Sequence, residues 1–326
     1  MSLPVSSDTV SIIVPVHNGV ATISRCLDSL LNQDCPVLEV IVVDDGSTDG
    51  TPDLVKSPAT LVCIGGQKGA GAARNAGARA ARGTLLMFTD ADVAVPKNWV
   101  RRALQTMQAH GVDCGGGGYA GPLKETFMQQ FAFEELAFRR RHIGGYVETL
   151  VSNNLFCRAA LFKEAGGFPE NYRAASSEDM EFSWKISRTH KLWWDNENGV
   201  YHNFTDTLFR YLKQQFGFAR DAVPMLLKTS GLLKGRTHHG RLIYVETFLT
   251  LAAVILGLLG QKGAMGLLFG GVLLVNFPFL AFIANRRGPV FVLKSGPTIV
   301  ARNLAIVAGC GWGFFRMLTG QGGNGT

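Results

Sequence analysis

Charge is scarce in this sequence of 326 residues: Asp, Glu, Lys and Arg make up 17% of it, where a soluble protein has roughly 25%. The scarcity is local. Residues 242–326 hold only Glu246, Lys262, Arg286, Arg287, Lys294, Arg302 and Arg316, and the other charges lie upstream. The chain therefore reads as a soluble-type domain followed by an apolar tail. Metal-spaced or paired cysteines are also missing. The six cysteines, at 26, 35, 63, 114, 157 and 310, form no C-x-x-C pair and no zinc pattern, and most sit in apolar runs as reduced core residues do. No G-x-x-x-x-G-K-[ST] occurs, and no G-x-G-x-x-G follows the first apolar run. P-loop and nicotinamide chemistry are thereby unsupported. The opening Met1 to Thr9 has no charged-then-apolar leader, so the N-terminal domain is expected to stay in the cytosol. At 47% hydrophobic content, disorder, collagen and coiled coil are excluded.

What is present begins with alternation. Ser11 to Val16, Val37 to Val43, Leu61 to Ile64 and Leu85 to Phe88 are short apolar runs, read as strands buried on both faces. Ile23, Cys26, Leu27, Leu30 and Leu31 recur at helical spacing, an alanine-rich helix is expected from about Gly71 to Arg82, and Pro96 is placed to open another. Strands alternating with helices predict a doubly wound, mostly parallel α/β sheet. Further on, Leu123 to Arg141 and Ser177 to Arg188 read as helices and Leu150 to Phe156 as a strand. The expected division is an α/β domain over 1–205, amphipathic linker helices over 206–241, and a membrane region over 242–326. Within that last region, spans are expected at about 242–260 and 264–284, with a weaker third at 298–315. The net charge of +7 comes mostly from the tail. Its basic residues flank apolar segments, which fits an anionic membrane face and not nucleic acid.

Ligands of an open α/β sheet bind beyond the carboxyl ends of its strands. The polar residues expected there are Pro15 to Asn18, Asp44 to Ser47, the loop Gly65 to Asn75, and Asp90-Ala91-Asp92. Two carboxylates after a buried strand can share a hard divalent cation with substrate phosphates, although Asp92 as a helix N-cap and Asp90 in a turn serve the same sequence. The glycine loop with Lys68 and Arg74 can bring backbone N–H groups to phosphates. Glu178 and Asp179 open a helix, where either could favour the dipole or one could deprotonate a hydroxyl. His202 is a candidate metal ligand or a structural histidine.

In order, SIIVPVHNG, VIVVDDGSTDGT, KGAGAARNAGARAARG, LLMFTDAD, SSEDMEFSWKISR and VYH resemble the family-2 glycosyltransferases of the GT-A fold, over roughly Ser11 to His202. The resemblance implies an inverting, metal-assisted transfer from a nucleotide-sugar donor. Under it Pro15, Asn18, Asp44, Asp45 and Ser47 line the nucleoside pocket, and Lys68, Gly69, Arg74 and Asn75 surround base, ribose and phosphates. Asp90 contacts ribose or metal, Asp92 holds Mg²⁺ or Mn²⁺ with help from His202, and Asp179, beside Glu178, is the base. Processive synthases of the family carry Q-x-x-R-W after the base. This sequence does not, so few sugar additions are expected.

Joined to the apolar tail, these features predict a multi-pass protein of the cell membrane (the inner membrane in a bacterium). Its catalytic domain would be cytoplasmic, acting on a lipid-linked or membrane-proximal acceptor in envelope glycan or polysaccharide biosynthesis. Oligomeric state is not readable from the sequence. Donor choice is expected to rest on residues including Gly115–Gly118 and Ser152–Asn154. The competing functions are a non-catalytic nucleotide-binding membrane scaffold and a sugar-1-phosphate nucleotidyltransferase. The intact acidic residues oppose the first, and SIIVPVHNG in place of a glycine-rich basic N-terminus opposes the second.

Overall fold

The computed structural model describes residues 8–171, 178–228 and 242–319. They form two compact units, the first from residues 1–123 and 142–203 and the second from 124–141 and 204–326. The basic flank expected at 236–241, and the start of the SSEDMEF segment, lie outside the described residues.

The first unit is built on one nine-stranded sheet. Its strands are β1 (Val10–Val16), β2 (Glu39–Asp44), β3 (Thr60–Cys63), β4 (Leu85–Thr89), β5 (Val93–Ala94), β6 (Cys114–Pro122), β7 (Gly145–Val147), β8 (Asn154–Arg158) and β9 (Leu192–His202). The helices are α1 (Ile23–Leu31), α2 (Ala70–Ala80), α3 (Trp99–His110), α5 (Ala159–Glu164) and α6 (Glu178–Ser187), with α4 (Phe127–Arg140) belonging to the second unit. The spatial order is β3-β2-β1-β4-β8-β6-β9-β5, and β7 pairs with β9. The first half is parallel, as the alternation predicts: β1 pairs in parallel with β2 and β4, and β2 with β3. The second half is mixed. β8 runs antiparallel to both β4 and β6, β6 is parallel to β9, and β5 and β7 are antiparallel to β9. "Mostly parallel" thus holds for the β3-β2-β1-β4 half only, because β8 runs against both of its neighbours in the other half.

Local sequence explains the central elements. Every residue of β1 is buried, as expected of a strand covered on both faces. Pro15, which lacks an N–H, is tolerated in this inner strand because the ladder to β4 ends at Ile13. Helix α1 buries Ile23, Cys26, Leu27 and Leu30, while Leu31, also placed on the buried face by its spacing, is 42% exposed. Small residues in α2 permit close approach to the sheet: a Cβ on Gly77 would lie 2.5 Å from the Ile13 side chain. Pro96 does not open α3. Its carbonyl accepts from the Trp99 N–H in a preceding turn, and the helix starts at Trp99.

The glycine run of β6 is a packing device. Its pairing with β9 shifts register between Gly117 and Tyr119 and again between Tyr119 and Gly121, and the backbones close in. A Cβ on Gly116 would sit 2.4 Å from the Asn154 carbonyl, and one on Gly117 would sit 2.1 Å from the Asn198 carbonyl. Gly115, Gly116 and Gly117 are buried against neighbouring strands and Gly118 is half-buried, so close packing accounts for the run. Gly117→Ala is expected to destabilise the protein by about 1–3 kcal/mol, seen as a lower thermal midpoint with unchanged nucleotide affinity in the surviving folded fraction.

The second unit is helical: α4, α7 (Leu208–Lys228), α8 (Leu242–Leu258), α9 (Lys262–Val275), α10 (Phe277–Arg287) and α11 (Pro289–Leu318). The helix expected within the catalytic domain at 123–141 thus joins the C-terminal helices, because its buried Glu134 and Glu135 find their partners there (Arg286, Arg287 and Arg302). The stretch expected as one span at 264–284 is two helices bent by 57°, broken at Asn276 ahead of Pro278. Among the described residues one helix, α11, is by itself long and apolar enough to cross a membrane. It contains the weaker candidate at 298–315.

Candidate active site

The carboxyl ends of β1, β2 and β4 converge. After β1, Asn18 adopts φ 54°. Its N–H donates to the Ser47 hydroxyl at 2.8 Å and its Oδ1 accepts from the Thr48 N–H at 2.9 Å, so the two loops are stapled together. Asp44 closes β2, and its Oδ2 accepts from the N–H groups of Gly46 and Ser47. Asp44 Oδ1 is buried without a protein partner, which costs stability unless a ligand donor meets it. Asp45 braces the glycine loop instead: its two oxygens accept from the Lys68 and Gly69 N–H groups at 2.8 and 2.7 Å. Gly69, with φ 97°, then leads into α2, a conformation that favours glycine.

Arg74 and Asn75 stand side by side on α2 and do different things. Arg74 is 3% exposed and bonds Asp90 Oδ1 at 2.7 Å and Glu178 Oε1 at 3.0 Å. Burial works against its charge, but Asp90 and Glu178 outweigh this and raise the guanidinium pKa. Asn75 donates to the Phe168 carbonyl and to Glu170, and accepts from the Phe168 N–H. Its amide is occupied in holding the 168–170 turn, so the structure does not bring it to the nucleotide loops, a departure from the resemblance.

Beyond β4, Asp92 and His202 meet because β5 pairs with the end of β9, with Val93 opposite His202. The Asn203 N–H donates to the Asp92 carbonyl at 2.9 Å. His202 Nε2 lies 3.5 Å from Asp92 Oδ2, and the Tyr119 ring sits edge-on to the histidine at 5.4 Å between centroids. Burial raises the Asp92 carboxyl, His202 pulls it down and Asp90 pushes it up, leaving it above the ordinary carboxylate value. A hard carboxylate oxygen beside an imidazole nitrogen suits one edge of a divalent-cation sphere. Among the described residues no group of three or more His, Cys, Asp or Glu side chains encloses such a site, and one Asp90 oxygen already serves Arg74. The residues fit an ion that takes its other ligands from substrate phosphates and water, the habit of Mg²⁺.

Asp179 lies in the first turn of α6. Its Oδ2 accepts from the Ser152 N–H at 3.1 Å, and its Oδ1 from the Met180 N–H at 2.8 Å. Burial first, then the adjacent Glu178, push its pKa up to about 6, against the pull of the Ser152 N–H and Arg74. Next to Ser152, Asn153 donates to the Tyr119 hydroxyl at 2.8 Å, and Asn154 accepts from the Trp99 indole at 2.8 Å. Tyr119 and Trp99 escaped the sequence analysis. Their partners lie 34 and 55 residues away, and no local pattern marks them.

The arrangement thus brings together the stapled loops after β1 and β2, the Asp92–His202 pair, and a carboxylate of raised pKa at Asp179, with Arg74 linking Asp90 to Glu178. Comparison with known proteins gives this arrangement its context. The profile of "Glycosyl transferase family 2" matches residues 11–165. Glycosyltransferase AglE of Haloferax volcanii is 31% identical over 179 residues, covering 50% of this chain and 56% of its own. Succinoglycan biosynthesis protein ExoO of Rhizobium meliloti is 38% identical over 185 residues, covering 50% and 53%. The chain therefore spans about half the length of these curated relatives. Among solved structures, mannosyltransferase PcManGT of Pyrobaculum calidifontis, in complex with GDP-Man and Mn²⁺, superposes with a TM-score of 0.63 at 19% identity, covering 94% of this chain and 87% of that one. At that identity the likeness is one of fold. Residues 11–165, just under half of the chain, are thus a glycosyl transferase family 2 domain, on a GT-A-like fold.

Proposed function

We propose that the protein is an inverting glycosyltransferase that moves one sugar from a nucleotide-sugar donor to a hydroxyl-bearing, lipid-linked or membrane-proximal acceptor in glycan assembly. The observation that carries this reading is Asp179, a carboxyl raised to about 6 and held by two backbone N–H groups. Such a group is ionised at neutral pH yet basic enough to take a hydroxyl proton.

Asp44, with its unpartnered Oδ1, would accept from a nucleobase N–H. The Asn18–Ser47 staple would shape the nucleoside pocket. Lys68, exposed on the glycine loop, would face the phosphates, and Asp90, aligned by Arg74, the ribose. Asp92 and His202 would hold Mg²⁺ or Mn²⁺. When bound, that ion supplies positive charge against the diphosphate. In the transfer itself, the acceptor oxygen attacks the anomeric carbon as its proton passes to the Asp179 carboxylate. The bond from that carbon to the donor phosphate oxygen breaks, and its electron pair leaves with the nucleoside diphosphate. Attack opposite the leaving group inverts the centre. Two features support the reading from outside the site: the relatives' names, which concern glycosyl transfer and succinoglycan biosynthesis, and the neighbour solved with GDP-Man and Mn²⁺. The exposed apolar side chains of α8 and α9 support attachment to a cell membrane, with the catalytic unit cytoplasmic.

The test is nucleoside diphosphate release from uridine, guanosine and deoxythymidine diphosphate sugars. It uses the full chain in mild detergent, with Mn²⁺, Mg²⁺ or chelator, with and without a bacterial lipid extract. Release from one donor, raised by lipid, removed by chelator and reduced at least tenfold in Asp92→Ala, is expected. No release from any donor under any condition would overturn the assignment.

A further inference from the structure

The second unit contains a contradiction between composition and packing. Helix α11 is about 45 Å long at 1.5 Å per residue and apolar enough to span a bilayer. Two of its neighbours, α4 and α7, are not. Arg302, near its middle, is 1% exposed and bonded to Glu135 of α4, Glu246 of α8 and Asn303. Tyr211 of α7 donates to the same Glu135 at 2.6 Å. Toward its C-terminus, α11 meets α7 backbone to backbone. A Cβ on Gly309 would lie 2.4 Å from the Phe216 carbonyl, and one on Gly313 would lie 2.4 Å from the Arg220 carbonyl. This is the small-xxx-small mode of close helix packing. Helix α7 carries Arg210 and Lys213, both exposed, and the Arg220–Asp221 pair. Toward its N-terminus, the Phe291 ring of α11 lies 4.9 Å from Phe127 of α4, close in sequence to the Lys124–Asp206 pair. Both halves of α11 are thus flanked by charged helices.

Placing α11 across a membrane would carry these companions into hydrocarbon, at about 2.5–3.5 kcal/mol for each charge near the centre. Four of the five charges of α7, Arg210, Lys213, Arg220 and Asp221, by themselves make that on the order of 10 kcal/mol. The hairpin of α8 and α9 carries a lighter burden: Glu246, near the start of α8, is neutralised by Arg302 of α11. From Thr247 to Asn285 the sequence holds one charge, Lys262 at the turn, and Phe248, Leu258, Leu267 and Leu274 are exposed, Leu258 by 84%. Where α10 ends, Arg286 and Arg287 grip Glu134 of α4 at 2.8 Å each, and Arg139, Arg140 and Arg141 end α4 and follow it. The part-exposed Arg286 and Arg287, with the exposed Arg141, present positive charge suited to anionic lipid headgroups.

We infer that the α8–α9 hairpin is the part that enters the bilayer, and that α11 lies with α4 and α7 in the anionic headgroup layer, outside the hydrocarbon. The hairpin returns the chain to the side it left, so the end of α11 stays on the membrane face that bears the catalytic unit. This rests on the membrane attachment proposed above. It assigns one helical plate and one inserted hairpin where composition alone points to α11 as the span.

The test uses the full chain carrying Thr319→Cys, an exposed position just past α11, in bacterial membrane vesicles of both orientations. A membrane-impermeant maleimide is applied and labelling is mapped by peptide mass spectrometry, with the exposed native Cys63 of the catalytic unit as internal reference. The introduced thiol and Cys63 are expected to label in the same vesicle orientation, to within about twofold, and at least tenfold less in the other. Labelling of the introduced thiol from the face opposite Cys63 would show α11 crossing and overturn the inference. A carbonate wash separates the two failures: release of the chain into the wash defeats membrane insertion altogether, whereas a retained chain with opposite-face labelling defeats the α11 assignment alone.

Discussion

Asp179→Asn is expected to slow sugar transfer by about 10²–10⁴-fold, the usual contribution of a positioned general base, while thermal stability stays within about 1 kcal/mol of the unsubstituted protein. The two halves of that expectation share one cause. Burial and Glu178 raise the Asp179 pKa to about 6, so the fold prefers the protonated form. The associated stability is present below the unfolded carboxyl's value near 4 and is lost as pH rises through 6. Above that, the ionised carboxylate costs up to about 3 kcal/mol, at 1.36 kcal/mol per unit. Asparagine removes the cost but cannot accept from both Ser152 and Met180, and the two effects nearly cancel. Activity of the unsubstituted protein runs the other way, because the base works only when ionised. Its rate should climb through an inflection near pH 6, and the pH dependence should flatten in Asp179→Asn. Nucleotide release against pH, paired with a melting curve, measures both. A variant of full activity would remove Asp179 from the role of base.

Arg74→Met is expected to be the most damaging single substitution for stability in the catalytic unit. Arg74 is buried between Asp90 and Glu178 and is ion-paired to both. Removing one member of a buried ion network costs about 3–5 kcal/mol, since it leaves the remaining charges uncompensated. The melting transition should fall by roughly 6–20 °C at the 2–4 °C per kcal/mol typical of domains this size. The same change removes a charge that lowers the Asp179 pKa, so the activity inflection should move above 6 in whatever folds. Arg74→Lys restores the charge without the two-pronged geometry and should recover part of the stability. A melting curve for each variant, with the pH profile of nucleotide release, tests the pair. An unchanged melt in Arg74→Met would mean the network contributes no net stability.

How much of this could be read before the structure differs by element. The parallel half of the sheet followed from four apolar runs separated by helical spacing, because buried strands and amphipathic helices write their burial into local sequence. Leu31 and Pro96 mark the limit. Both obey the pattern, yet the first is exposed and the second precedes its helix by a turn, since neither packing nor turn closure is visible at that range. The acidic residues Asp90, Asp92 and Asp179 were legible as an ordered set. Their relations were not: Arg74 reaches Glu178 across 104 positions, and Asn75, its neighbour, turns out to hold the 168–170 turn. Nothing in the sequence of α2 distinguishes the arginine that aligns the site from the asparagine that braces the scaffold.

By itself, then, the sequence determined the family, the strand–helix alternation and the apolar character of the tail, all properties set within windows of a few to twenty residues. Only the tertiary structure decided that β6 uses its glycines for packing, that Asp92 meets His202 through the β5–β9 pairing, and that α4 leaves the catalytic unit for the C-terminal helices. It also decided that the most apolar long helix is flanked by charge. Each of these depends on which distant groups share a buried space. A buried ion or a backbone contact is settled by the partner that neutralises or excludes it, and that partner lies tens to hundreds of residues away.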